Sequence, residues 1–149
     1  MIGGGPAVIR RVTLEEIVDL RHVMLRQGLP REAAIFPADE SPTSYHFGTF
    51  IDGKNVGCAT FHFGEWEGEP AWRLRGMATL SGFQKYGVGR AVLEFAEEMI
   101  GAESPVRLLW CDARTPAVPF YERQGWRVVS EEFFIPTAGP HFKMIKRMQ

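Results

Sequence analysis

The chain has 149 residues, 45% of them hydrophobic and 12% aromatic. That suits one folded domain over 1–149 and excludes both a disordered segment and two ordinary domains. A formal net charge of −1 excludes a broadly basic surface for nucleic acid or anionic membrane, so any anion site must be local. In chain order, "AVIRRV" reads as a short strand. "TLEEIVDLRHVMLRQG" reads as a helix from Thr13, with Glu16 completing a capping box and Gly28 as its stop. "LPREAAIFPADESPTS" carries three prolines and little period, so it is a loop or holds a short helix. "YHFGTFI" and "NVGCATFHF" are strands around the hairpin signal "DGK"; "GEWEGEP" is a second turn and "AWRLRGMATL" a third strand.

The second half alternates helix and strand. Val88, Ala91, Val92, Phe95, Ala96, Met99 and Ile100 recur at helical spacing, and Gly101 is the expected end. "PVRLLWCD" is an apolar strand buried on both faces. "TPAVPFYERQG" is a short helix with Thr115 as N-cap, Pro116 in its first turn and Gly125 as its stop; Pro119 costs it a hydrogen bond. "WRVVSEEFF" and "HFKMIKRM" are the last two strands. The order is β-α-β-β-β-α-β-α-β-β. The 20-residue connection from Gly82 to Gly101 is long enough for a parallel crossover between the strands at 71–80 and 106–112.

Cys58 and Cys111 lie in strand-like runs with no metal-ligand spacing, and His22, His46, His62 and His141 are scattered. Two buried thiols and no metal are expected. No stretch has the length of a signal peptide's apolar core or of a membrane span, so a cytoplasmic protein is expected.

"GFQKYGVGR" joins a strand to a helix. It lacks the third glycine of a dinucleotide fingerprint, since position 92 is Val92. It lacks the lysine of a phosphate-binding Walker loop, since Val88 follows Gly87. What remains is Gly87 and Gly89 at a helix start whose amides have no intrahelical partner, with Lys85 and Arg90 adding charge. That pattern suits a pyrophosphate, and taken alone it equally suits a plain glycine-rich turn.

"QKYGVG" resembles the Q/R-x-x-G-x-G/A signature of the GNAT superfamily of N-acetyltransferases, and "AVPFYERQGW" resembles that family's later helix. The likeness covers nearly the whole chain and is most specific from Arg75 to Trp126. With the late "GPHFKM", it resembles a group of bacterial members with no clear shared substrate. The resemblance implies an α/β fold: a mixed, mostly antiparallel sheet of about seven strands, flanked by helices, with the fourth and fifth strands splayed. It implies acetyl-CoA, or a related acyl-CoA, as donor and an amine as acceptor, with no metal. Met77, Ala78 and Thr79 would face the pantetheine arm as an unpaired strand edge. The amides of Gln84, Lys85, Tyr86, Gly87, Val88, Gly89 and Arg90 would cradle the pyrophosphate. Arg123 stands where members often carry a basic residue near the CoA phosphates; a solvated surface charge is the equal alternative.

Tyr121 matches the family tyrosine that protonates the departing thiolate, and the motif favours that role over simple packing. A phenol near ~10 can serve a thiol near ~8.5 only when held in place. A backbone N–H near Met77 would stabilise the oxyanion. The base is open among Glu65, Glu67, Glu69, Asp112, His62 and a water chain. His141 reads as a turn residue packing its ring, with a lesser reading as a wall of the acceptor pocket. Trp66 and Trp72 read as core before pocket wall. Arg114 departs from the asparagine many members carry there. An acyl-CoA sensor of the same fold is the alternative function; a phosphotransferase lacks its loop and its acidic metal ligands. Homodimerisation is left open by the sequence.

Overall fold

The computed structural model describes residues 7–149, and in it the alternation of the early segments becomes an antiparallel meander. β1 (Ala7–Arg11), β2 (Tyr45–Ile51), β3 (Lys54–Trp66) and β4 (Glu69–Thr79) pair in sequence order. Two-residue turns at Asp52–Gly53 and Glu67–Gly68, with positive φ at all four positions, set their register. The second turn is far tighter than "GEWEGEP" suggests, because the strands run on to Trp66 and restart at Glu69. The helix α2 (Val88–Glu103) then crosses over to β5 (Leu108–Arg114), which lies parallel to β4; the expected crossover holds. After the short α3 (Val118–Arg123), β6 (Arg127–Val128), β7 (Phe133–Ile135) and β8 (Gly139–Arg147) complete eight strands in the order β1-β2-β3-β4-β5-β8-β6, with β7 also on β8.

Strand alternation sorts the sheet into two apolar faces. Phe47, Ala59, Phe61, Trp72 and Leu74 pack against Val92, Leu93, Ala96 and Ile100 of α2. Cys58 and Ala78 face Ile17 and Leu20 on the other side, where α1 (Val18–Leu25) lies. Burying Phe47, Phe61 and Leu93 stabilises the sheet–helix layer by about 1.5–3 kcal/mol each.

Several boundaries differ from the sequence expectation. The first helix is a 3₁₀ turn at Leu14–Glu16 followed by α1, which ends three residues before Gly28. The capping box is present, with Glu16 Oε1 accepting the Thr13 amide at 2.9 Å. The helix α2 continues through Gly101 to Glu103, because Arg107 donates to Gly101 O (3.1 Å) and Ser104 O (2.9 Å) and so satisfies its end. Thr115 is no N-cap: it lies in a 3₁₀ turn (Thr115–Ala117) and donates to Glu132 Oε2 at 2.8 Å. Pro119 falls in the first turn of α3, where its missing N–H costs nothing. "WRVVSEEFF" splits in two because Ser130 Oγ takes the Lys143 amide (2.9 Å) that an unbroken ladder would have paired with backbone. Among the described residues the sheet therefore has eight strands where about seven were expected.

Candidate active site

Two local features open the sheet. Strand β4 pairs with β5 only at Trp72–Leu109 and Arg73–Trp110, and beyond that the strands part. At the same point β4 bulges: Arg75 faces Thr60 and Ala78 faces Cys58, so Gly76 and Met77 together oppose Ala59. Glycine is required at the bulge. Gly76 has φ +63, and a Cβ there would stand 2.5 Å from Arg21 Nε.

The split holds two cavities. A cleft of about 910 Å³ runs from the end of β4 over the start of α2 to α3. A smaller cavity of about 250 Å³ lies between β4, β5, the loop carrying Phe36 and the start of β8. Both are lined by Met77, Arg114, Ala117 and Tyr121, so they adjoin at these four residues. The Tyr121 hydroxyl lies 3.6 Å from Met77 Sδ, and the ring is held edge-on by Phe120 (5.2 Å) and Trp126 (5.5 Å). Burial, with a smaller contribution from Cys111, raises the hydroxyl well above the usual phenol range, so Tyr121 keeps its proton.

Every residue singled out for the CoA arm lines the larger cleft except Tyr86, whose side chain is 59% exposed and offers only its backbone. None of the amides from Gln84 to Arg90 donates a hydrogen bond to a described residue. Gly87 enters the helix at φ +79, and a Cβ on Gly89 would meet Met77 Cε at 3.0 Å and Phe120 Cζ at 3.2 Å. Those free amides at a helix start, in a cradle a side chain would fill, fit a pyrophosphate. Gln84 braces the turn through Thr79 O (3.2 Å). Arg123 has no ion partner among the described residues; Arg90 is engaged by Glu94 at 2.8 Å, an exposed pair that a phosphate can displace.

The candidate bases separate. Glu65, Glu67 and Glu69 line neither cavity, and Glu69 is bound by Arg147. Asp112 lines the smaller cavity but is paired with Arg73 (3.1 Å) and Lys143 (2.8 Å). His62 is in a buried cluster instead: Nε2 lies 2.8 Å from Asp39 Oδ1. Trp72 is core and Trp66 packs on Trp110; neither lines a cavity. His141 is not in the turn. It lies in β8, nearly buried, and lines the smaller cavity. Its Nδ1 is 2.7 Å from Gly139 O, an atom that only accepts, so Nδ1 carries a proton, and in the neutral ring Nε2 is the acceptor.

The buried cluster fixes the loop between α1 and β2. Arg21 Nη1 donates to Asp39 Oδ2 and Ala34 O, Nη2 to Thr60 Oγ1, and the Phe36 amide to Asp39 Oδ2 (2.6 Å). His46 donates from Nε2 to Asp39 O (2.9 Å) and accepts from Thr60 at Nδ1; burial holds its pKa below the ordinary value. Sequence reading missed this cluster, and it missed Arg26, Phe36, Arg73 and Arg75 in the smaller cavity. The signal was there: "WRLR" puts two arginines at alternate positions of a strand otherwise apolar enough to be interior.

The model of the acetyltransferase (GNAT) family matches residues 14–126. The chain is 33% identical to the uncharacterized N-acetyltransferase YitI of Bacillus subtilis (strain 168) over 147 residues, covering 95% of this chain and 96% of the relative. The fold is that of Escherichia coli ElaA, with a TM-score of 0.79 at 15% identity over 95% of this chain and all of the other. It is also that of an aminoglycoside 6'-N-acetyltransferase complexed with coenzyme A, with a TM-score of 0.75 at 13% identity over 94% and 96% of the two chains.

Proposed function

Because the chain belongs to the GNAT family of acetyltransferases, we propose that it moves an acetyl group from acetyl-CoA to a primary amine by direct attack. The observation that carries this reading is Tyr121 in the wall of both cavities, one cavity for each substrate. The thioester supplies an activated acyl carbon when bound; the chain's residues do the rest. Met77 to Thr79, on the unpaired edge of β4, hold the pantetheine arm. The free amides of Gln84 to Arg90 hold the pyrophosphate, with Lys85, Arg90 and Arg123 as mobile countercharges. The Met77 amide, turned by the bulge, stabilises the charge that develops on the acyl oxygen.

Proton transfer has two ends. His141 Nε2, an acceptor in the smaller cavity, takes the proton of the attacking amine. Tyr121 gives its proton to the departing sulfur as the C–S bond breaks, and the buried hydroxyl is protonated at every working pH. A sensor that only held acyl-CoA would need neither the second cavity nor the acceptor nitrogen in it. Two free, buried thiols suit a reducing, cytoplasmic setting.

The test is Tyr121→Phe, which keeps the ring and removes the hydroxyl. Turnover should fall on the order of 10²-fold while acetyl-CoA affinity is unchanged. The fall should shrink with an acyl donor whose thiol is more acidic. Wild-type turnover in the variant, with chemistry rate-limiting, would exclude the acid role.

A further inference from the structure

Resting on that reading, the smaller cavity also says what kind of amine enters it. Its walls carry an imbalance of charge. Arg26, Arg73, Arg75 and Arg114 line it together with a single carboxylate, Asp112. That carboxylate is already held by Arg73 and Lys143. Arg26, Arg75 and Arg114 have no acidic partner among the described residues; the only side-chain hydrogen bond from the three is from Arg26 Nη1 to the neighbouring Leu25 carbonyl. Arg75 lies 4.4 Å and Arg26 5.0 Å from the centroid of the same Phe36 ring, so both guanidinium groups are stacked in fixed positions. Arg75 and Arg26 both feel neighbouring cations. Burial lowers the pKa of Arg75, and Arg73 and Arg26 lower it further; burial lowers that of Arg26, and Arg114 adds to it.

Half-buried cations that repel one another around a cavity are unfavourable unless something negative enters it. A planar guanidinium pair recognises a compact oxyanion with paired hydrogen bonds, which an ammonium or a neutral amide cannot supply. We propose that the acceptor is a small amine that also bears an oxyanion, a carboxylate or a phosphate-type group, and that Arg75 and Arg26 bind this group while its amine points to Tyr121 and His141. The volume of about 250 Å³ lies below the ~300–1,000 Å³ of drug-sized sites and limits the acceptor to a small molecule or one side chain. The same cations make an entering ammonium less stable, and so favour the neutral amine that attacks.

Two measurements on the full chain test this. The first follows thiol release from acetyl-CoA with four amines of matched length: 4-aminobutanoate, 3-aminopropylphosphonate, 4-aminobutanamide and 1,4-diaminobutane. One of the anionic amines should exceed the amide and the diamine in kcat/KM by at least tenfold, and the better of the two identifies the oxyanion. Arg75→Gln and Arg26→Gln should reduce that preference to less than threefold, whereas Arg127→Gln, an exposed change of the same charge outside both cavities, should keep it. The second measures binding of glutarate and of inorganic phosphate to CoA-saturated protein by calorimetry, which needs no turnover. At least one should bind, and Arg75→Gln should abolish it. If an anion binds in this way but none of the four amines is acetylated, the oxyanion site at Arg75 stands, while its role in holding an acceptor amine falls with the transfer reading. If the amide or diamine is acetylated as well as the anionic amines, the inference fails and transfer stands. If no anion binds, or binding survives Arg75→Gln, the inference is overturned whatever the turnover.

Discussion

The loop that carries Phe36 is held by one ion pair, and removing its charge should cost the fold heavily. Arg21 and Asp39 are both fully buried at their side chains, joined by two hydrogen bonds, Nη1 to Oδ2 and Nη2 to Oδ1 (3.2 Å). Asp39→Asn keeps the shape and deletes the negative charge. It leaves a guanidinium with 0% exposure uncompensated, and turns an amide NH₂ towards either Arg21 or His62, both of which donate to the wild-type oxygens. Breaking a buried pair from one side costs about 3–5 kcal/mol, which for a domain of this size lowers Tm by roughly 6–20 °C. Thermal melts followed by circular dichroism at pH 7 measure it. The sign with pH is fixed. Burial alone would raise the Asp39 pKa, but hydrogen bonds from His62, Arg21 and the Phe36 amide outweigh it and hold the carboxyl far below the ordinary range. Its contribution is complete above the unfolded pKa near ~3.9 and is lost as pH falls from there towards the lower folded value, so the gap between wild type and variant should narrow in acid. Adding Arg21→Met to Asp39→Asn should recover part of the loss, since no buried cation then lacks a partner. A drop of less than about 3 °C at pH 7, or a double variant as unstable as the sum of the two single changes, would refute the reasoning.

Two further outcomes concern the site itself. Gly89→Glu should abolish CoA binding by calorimetry; Gly89→Ala should weaken it about tenfold or less, because the flexible Met77 tail at 3.0 Å can yield while the Phe120 ring at 3.2 Å cannot. CoA affinity unchanged in the glutamate variant would place the anion elsewhere. His141→Gln should lower turnover on the order of 10²-fold and leave CoA affinity intact; wild-type turnover in the variant would return the base to water.

The family and the donor-side machinery were legible because they are local. "QKYGVG" places free amides at a helix start by backbone geometry alone, and the "FYERQGW" run places Tyr121 on a helix of fixed phase. Neither needs distant partners to be read, and the structure puts those residues along one cleft with only Tyr86 turned away. Helix ends were less legible. Gly101 reads as a stop, but Arg107, six residues on, satisfies the end of α2 and carries it past that glycine to Glu103. What the sequence could not decide was the acceptor side. Arg26, Phe36, Arg75, Arg114 and His141 come from five separate segments, and nothing in their spacing shows that they share a cavity. The early loop looked patternless because its order comes from elsewhere: Arg21 on α1 and His62 on β3 hold Asp39, and Asp39 holds Phe36. Backbone motifs carry their geometry with them; a pocket made by strand divergence and one buried ion pair exists only once the sheet has closed around it.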